Sequence, residues 1–86
     1  MYEIAYSEGW DEYFKKMNQA VQRKIWKKIQ QLKELEGIRH LKKGLPYFVV
    51  EVGQYRICFK QENNIRRIDF AGSHKQYEKW YLSLMK

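Results

Sequence analysis

The chain is short of several things, and each shortage removes a class of answer. It has one cysteine, Cys58, in 86 residues. A lone thiol makes no internal disulfide and no multi-cysteine zinc site; it fits a reducing cytosol, so a cytoplasmic protein is expected. Its two histidines, His40 and His74, lie in no ligand-spaced cluster, and the acids are scattered. No metal and no cofactor is therefore expected. With one proline and five glycines there is no linker, no low-complexity stretch and no Gly-rich phosphate loop. Nothing anchors a Ser-His-Asp arrangement. No apolar run approaches the roughly 18 residues of a membrane helix. The opening MYEIAYSEGW has neither the basic start nor the oily centre of a signal peptide, so neither membrane nor export is expected.

What is present describes a small folded body. Hydrophobic residues make up 44% and aromatic residues 16%, which argues for a packed core. The length allows one domain, residues 1–86. A chain this size buries a limited share of its surface, so its stability is marginal and a stabilising partner is expected. The net charge is +7 and unevenly placed. Residues 1–14 hold four acids and no base; residues 15–43 hold ten bases and two acids, a local balance of +8. Such a field attracts polyanions, either nucleic acid or an acidic protein, or else it is a solvated face that aids solubility.

The pattern is organised around Tyr47 to Lys60, which reads as two strands joined at Gly53-Gln54 by a type II′ turn. Side chains alternate across a strand. One face carries Phe48, Val50, Val52, Tyr55, Ile57 and Phe59, all apolar or aromatic. The other carries Tyr47, Val49, Glu51, Arg56, Cys58 and Lys60. Upstream, residues 2–6 alternate as a short strand. Ser7 then caps a helix with Trp10, Tyr13, Phe14 and Met17 on one face. Asn18 caps a second helix, roughly 19–36, whose stripe is Val21, Ile25, Ile29 and Leu32, with Gly37 as its stop. Residues 38–46 form a loop in which Leu41 and Leu45 tuck in. Downstream, residues 65–71 form the last strand, with Ile68 and Phe70 on one face. Ser73-x-x-Gln76 is a capping box opening a short helix with Tyr77, Trp80, Tyr81 and Leu84. The expected fold class is α+β: an N-terminal strand and a helical hairpin packed on one face of an antiparallel sheet, closed by a short C-terminal helix.

Within that frame a phosphate-handling set stands out. Arg56, mid-strand, is either the cross-strand partner of Glu51 or a fixed guanidinium that grips phosphate with two prongs. His74 opens the last helix, where free N–H groups favour anions and a histidine can exchange a proton near neutral pH. Otherwise it is an exposed histidine at a helix start. Lys42 and Lys43 lie on the loop before the hairpin. Tyr77, Trp80 and Tyr81 either stack on bases or dock their helix.

These motifs resemble those of the RelE/ParE superfamily of toxins from toxin–antitoxin pairs, over nearly the whole chain in element order and most densely over 38–81. Leu41-Lys42-Lys43-Gly44 is similar to the L-K-G loop before the sheet. Val52-Gly53-Gln54-Tyr55-Arg56-Ile57 is similar to the V-G-x-Y-R-hydrophobic hairpin. The run from Phe70 to Lys79 (FAGSHKQYEK) is similar to the T-H-x-E-Y-D-K ending of the HigB branch. The resemblance implies a RelE-like fold and a ribosome-dependent, metal-independent mRNA endoribonuclease, partnered by an acidic antitoxin and acting on the ribosome and its mRNA. By this likeness Arg56 stabilises charge on the phosphate and His74 is the general acid. Lys42, Lys43 and Lys60 hold RNA backbone, and Tyr77 or Trp80 positions a base. Where the RelE branch often has basic residues before the turn, this chain has Val49 and Glu51; Glu51 is then either the general base or a neutraliser of Arg56. Two other readings stand beside this one: a ParE-like inhibitor of DNA gyrase without chemistry, and a degenerate RNA-binding module.

Overall fold

Hydrogen bonding along the described residues, 1–38 and 46–84 of a computed structural model, gives a four-stranded sheet and two α-helices. The strands are β1 (Glu3–Tyr6), β2 (Tyr47–Val52), β3 (Tyr55–Glu62) and β4 (Ile65–Ser73); the helices are α1 (Gln19–Gln31) and α2 (His74–Leu84). The sheet order is β1-β4-β3-β2. The expected α+β class is what is found. The positions of Leu41, Leu45, Lys42 and Lys43 lie outside the described residues.

The central hairpin has the expected register, with Val52 opposite Tyr55 and Glu51 opposite Arg56. Gly53 sits at φ +59, the left-handed value that the first turn residue of a II′ hairpin requires. Helix α1 starts where expected: the Asn18 side chain accepts a hydrogen bond from the Val21 N–H at 3.0 Å. Its stripe, Ile25, Ile29 and Leu32, is fully buried against Ile57, Phe59 and Ile68, with Val21, Val50 and Phe48 around the rim. Each such side chain taken from water is worth about 1.5–3 kcal/mol.

Four local features differ from expectation. The sheet is mixed rather than antiparallel, because β1 pairs parallel to β4. An α-helix between β1 and β2 makes them co-directional, and β4, two reversals after β2, runs with them. Residues 8–16 form turns and a single 3₁₀ turn (Phe14–Lys16) instead of the first helix of a hairpin. Gly9 at φ +83 interrupts any helix there. The rings are also pulled apart: Trp10, Phe14 and Met17 join the core under α1, whereas Tyr13 packs against Phe70 on the other side. One helical face cannot serve both. Next, α1 stops at Gln31 and tightens through 3₁₀-type bonds, Lys33 N–H to Gln30 O and Glu34 N–H to Gln31 O, before Gly37.

The fourth difference is a β-bulge. Cys58 pairs with Phe70 and Phe59 with Ile68, so Asp69 is the extra residue. The bulge puts Ile68 and Phe70 on opposite faces, not on one. A second small core follows, built from Val49, Cys58 and Phe70 and covered by Tyr13, Tyr77 and Trp80. Helix α2 therefore covers the face opposite α1, and the sheet is sandwiched rather than covered on one side.

Candidate active site

The site is set by how α2 leaves the sheet. Strand β4 runs into α2 without a loop, and the expected capping box makes the turn. The Ser73 N–H donates to Gln76 Oε1 at 2.8 Å, and the Gln76 N–H donates back to Ser73 Oγ at 3.3 Å. Gly72 is required here for space: a Cβ would stand 2.7 Å from the Phe70 ring tip and 2.9 Å from Gln76 Oε1. The His74 N–H then donates to Gln54 O at 3.1 Å, lacing the helix start to the hairpin turn.

That lacing brings Arg56 and His74 to one groove of about 580 Å³, lined by Gly53, Gln54, Tyr55, Arg56, Ser73, His74 and Lys75. Tyr77 is near both. Its ring centre is 5.9 Å from the Arg56 guanidinium carbon and 6.3 Å from the His74 ring. Arg56 is largely buried (17% exposed) and its Nη2 lies 3.6 Å from Glu51 Oε1, itself 55% exposed. His74 Nε2 lies 2.9 Å from Glu78 Oε1. The groove thus pairs a largely buried guanidinium with an exposed imidazole engaged by Glu78, with the Tyr77 ring near both. Such a set can neutralise a phosphate and move a proton beside it.

The remaining expected residues sit one step along the same face. Trp80 stacks on Phe70 at 5.1 Å and meets the Tyr47 ring edge-on at 4.9 Å, so it docks α2 and stays only partly exposed. Lys60 Nζ lies 4.9 Å over the Tyr47 ring. Burial, the charge of Asp69 and a hydrogen bond to it push the Tyr47 phenol up to about 12. Cys58, beneath this surface, is fully buried, and burial pushes its thiol up, so it is no nucleophile. Lys42 and Lys43 lie outside the described residues. Among the described residues no group of three or more His, Cys, Asp or Glu side chains is placed to hold a metal, and no helix is long and apolar enough to cross a membrane.

The structure brings together Arg56, His74 and Tyr77, sets Glu51 against Arg56 and Trp80 against Tyr77, and places Lys60 farther along, over Tyr47. Sequence reasoning missed Glu78 and Lys75. Glu78 had a usable signal, since it stands four residues after His74 on a helix. Lys75 had none beyond adjacency.

The architecture is a RelE-like fold, as its likeness to solved structures shows. No protein-family model matches the chain, and no curated protein does. Similar solved structures include the RelB–RelE antitoxin–toxin complex from Methanococcus jannaschii, with TM-score 0.71 and 14% identity over 90% of this chain and 98% of that one. The Escherichia coli toxin RelE, a substituted form bound to a peptide of its antitoxin RelB, superposes with TM-score 0.72 and 15% identity, over 95% and 93%. The YoeB–YefM complex from Staphylococcus aureus gives TM-score 0.64 and 22% identity, over 86% and 98%.

Proposed function

We propose that this chain is the toxin of a type II toxin–antitoxin pair and cleaves ribosome-bound mRNA without a metal. The observation that carries the reading is the shared groove of Arg56 and His74, with the Tyr77 ring near both. The fold likeness to toxins solved with their antitoxins supports the toxin class, and the +7 charge suits both an acidic antitoxin and an RNA substrate. In the reaction the ribose 2′-oxygen attacks the adjacent phosphorus and the 5′-oxygen leaves, giving a 2′,3′-cyclic phosphate and a 5′-hydroxyl. Arg56 offsets the charge that builds on the phosphate oxygens. His74 protonates the leaving oxygen. Glu51, beside Arg56, takes the 2′-hydroxyl proton. Lys60, Lys42, Lys43 and Trp80 hold RNA around the groove. The setting is the cytoplasm, where ribosome, mRNA and antitoxin meet.

The test is cleavage of ribosome-bound mRNA with product ends mapped and a chelator present throughout. His74→Ala and Arg56→Ala should each lower cleavage by about 10²–10³-fold while ribosome binding is kept. Groups acting on one phosphate are non-additive, so the double variant should be little worse than the poorer single one. Undiminished cutting by His74→Ala overturns the general-acid assignment. A wild type that cuts nothing on ribosomes yet inhibits gyrase supercoiling replaces the nuclease by the ParE-like reading. One that binds RNA and does neither is the degenerate module.

A further inference from the structure

His74 and Glu78 lie one turn apart on α2, with Nε2 and Oε1 separated by 2.9 Å. Both side chains are more than half exposed, so the pair contributes little to stability. Its consequence is geometric. A carboxylate only accepts, so the nitrogen it engages must carry a hydrogen. Two further contacts orient the residue: its backbone N–H is tied to Gln54 O, and its ring faces that of Tyr77 with centres 6.3 Å apart and an interplanar angle of 27°. A ring so held, with Nε2 engaged along its own helix, has Nδ1 left to meet a ligand in the groove.

We propose that Glu78 is a positioning residue: it engages Nε2 of His74, so that Nδ1 is the nitrogen that delivers the proton to the leaving oxygen. The inference rests on the nuclease reading above. In the step, the bond from the 2′-oxygen to phosphorus forms and the bond from phosphorus to the 5′-oxygen breaks. The electron pair of that second bond takes the Nδ1 proton. The imidazolium becomes neutral imidazole and keeps its Nε2 hydrogen toward Glu78. The other charges at the groove are cationic Arg56 and Lys75, and Glu51 is engaged with Arg56. Glu78 is thus the carboxylate in contact with the ring among the described ion pairs.

The experiment replaces His74 in the full chain by histidine methylated on one ring nitrogen. Methyl on Nδ1 should abolish mRNA cleavage on ribosomes, a loss of at least about 10²-fold. Methyl on Nε2 should cost only what Glu78→Ala costs, roughly tenfold in kcat with KM unchanged, and combining the two should cost nothing more. Glu78→Gln, which keeps an acceptor at the same reach, should recover most of the activity. The reverse order of the two methylated proteins, or Glu78→Ala cutting at the wild-type rate, overturns the proposal. Ring-proton magnetic resonance needs no activity: the His74 Nε2 hydrogen should exchange more slowly in wild type than in Glu78→Ala. Equal exchange overturns the pairing itself. A wild type that cuts no ribosome-bound RNA while protection persists instead overturns the nuclease reading, and the proton role with it.

Discussion

Arg66 holds the end of α1 by donating from one nitrogen, Nη1, to the carbonyl of Leu32 at 2.7 Å. The same nitrogen reaches Leu35 O at 2.7 Å, while Nε donates to Gln61 Oε1 at 3.0 Å. Its guanidinium carbon lies 3.6 Å from the Tyr2 ring centre and 5.2 Å from that of Phe59. The residue is 2% exposed, the buried charged side chain of the described core. A buried cation is costly unless its donors are used and its charge is answered. Here carbonyls at the negative end of α1 answer it. The arrangement fastens β4 to α1, and β4 continues directly into the groove.

Arg66→Ala removes that cation and leaves two carbonyls without their donor. A loss on the order of 2–4 kcal/mol is expected, read by urea unfolding. Arg66→Lys should recover little, since an ammonium lacks the planar fork that spans these acceptors. An Arg66→Ala protein within about 0.5 kcal/mol of wild type, the range of ordinary surface substitutions, would show the contacts to be incidental.

Phe59 is fully buried and stacks on Phe48 at 5.4 Å. Phe59→Ala should cost about 3–5 kcal/mol, as truncation of a core phenylalanine does. The same unfolding measurement checks it, and an unchanged midpoint would mean the strand faces are misassigned.

These two residues mark what a sequence conveys. Phe59 was legible because alternation around Gly53 fixes which face it joins. So were the α1 stripe, the Asn18 cap and the Ser73–Gln76 box, which depend on neighbours within a turn. Arg66 was not legible, because its carbonyl partners at and just past the end of α1 are more than thirty positions away and an arginine in a strand ordinarily faces water. The Asp69 bulge was hidden for a related reason: one extra residue changes the pairing and leaves the local composition untouched. At the groove, Arg56 facing Glu51 followed from hairpin register. Its approach to His74 depends on the Gln54–His74 bond between two turns, which no periodicity encodes.

Gly72→Ala tests the corner on which the groove depends. Its added carbon would stand 2.7 Å from a ring that is only 2% exposed and is stacked on Trp80, and 2.9 Å from the cap oxygen. Overpacking of this kind costs about 1–3 kcal/mol. The melting temperature should drop, and cleavage should drop further than global unfolding accounts for, because the Gln76 cap and the adjoining His74 are displaced. Wild-type melting and cleavage together would show that the corner relaxes freely.

Tyr47 supplies a pH dependence. Its phenol is pushed up to about 12 by burial first and by Asp69 second. The folded state thus holds the proton more tightly than the unfolded chain, which releases it near 10. This contribution is fully present below pH 10 and is lost as pH rises toward 12. Tyr47→Phe should therefore lose less stability between those values than wild type does. Parallel curves for the two proteins would remove Tyr47 from the alkaline transition.

The last expected outcome concerns Glu51, which faces Arg56 in register at 3.6 Å. A cross-strand pair with one member this exposed is worth less than about 1 kcal/mol, so Glu51→Gln should leave the unfolding midpoint nearly unchanged. The substitution keeps shape and hydrogen-bonding reach but removes the ability to accept a proton and hold it. If Glu51 takes the 2′-hydroxyl proton, cleavage falls by about 10²–10⁴-fold with mRNA binding intact. That is the outcome expected here, because the carboxylate lies 3.6 Å from the guanidinium that would meet the same phosphate. If Glu51 only screens Arg56, removing its charge exposes the guanidinium; binding to RNA then tightens, its salt dependence steepens, and cutting is unchanged or faster. The two roles move cleavage in opposite directions, so one variant, assayed for stability, binding and cutting together, decides between them.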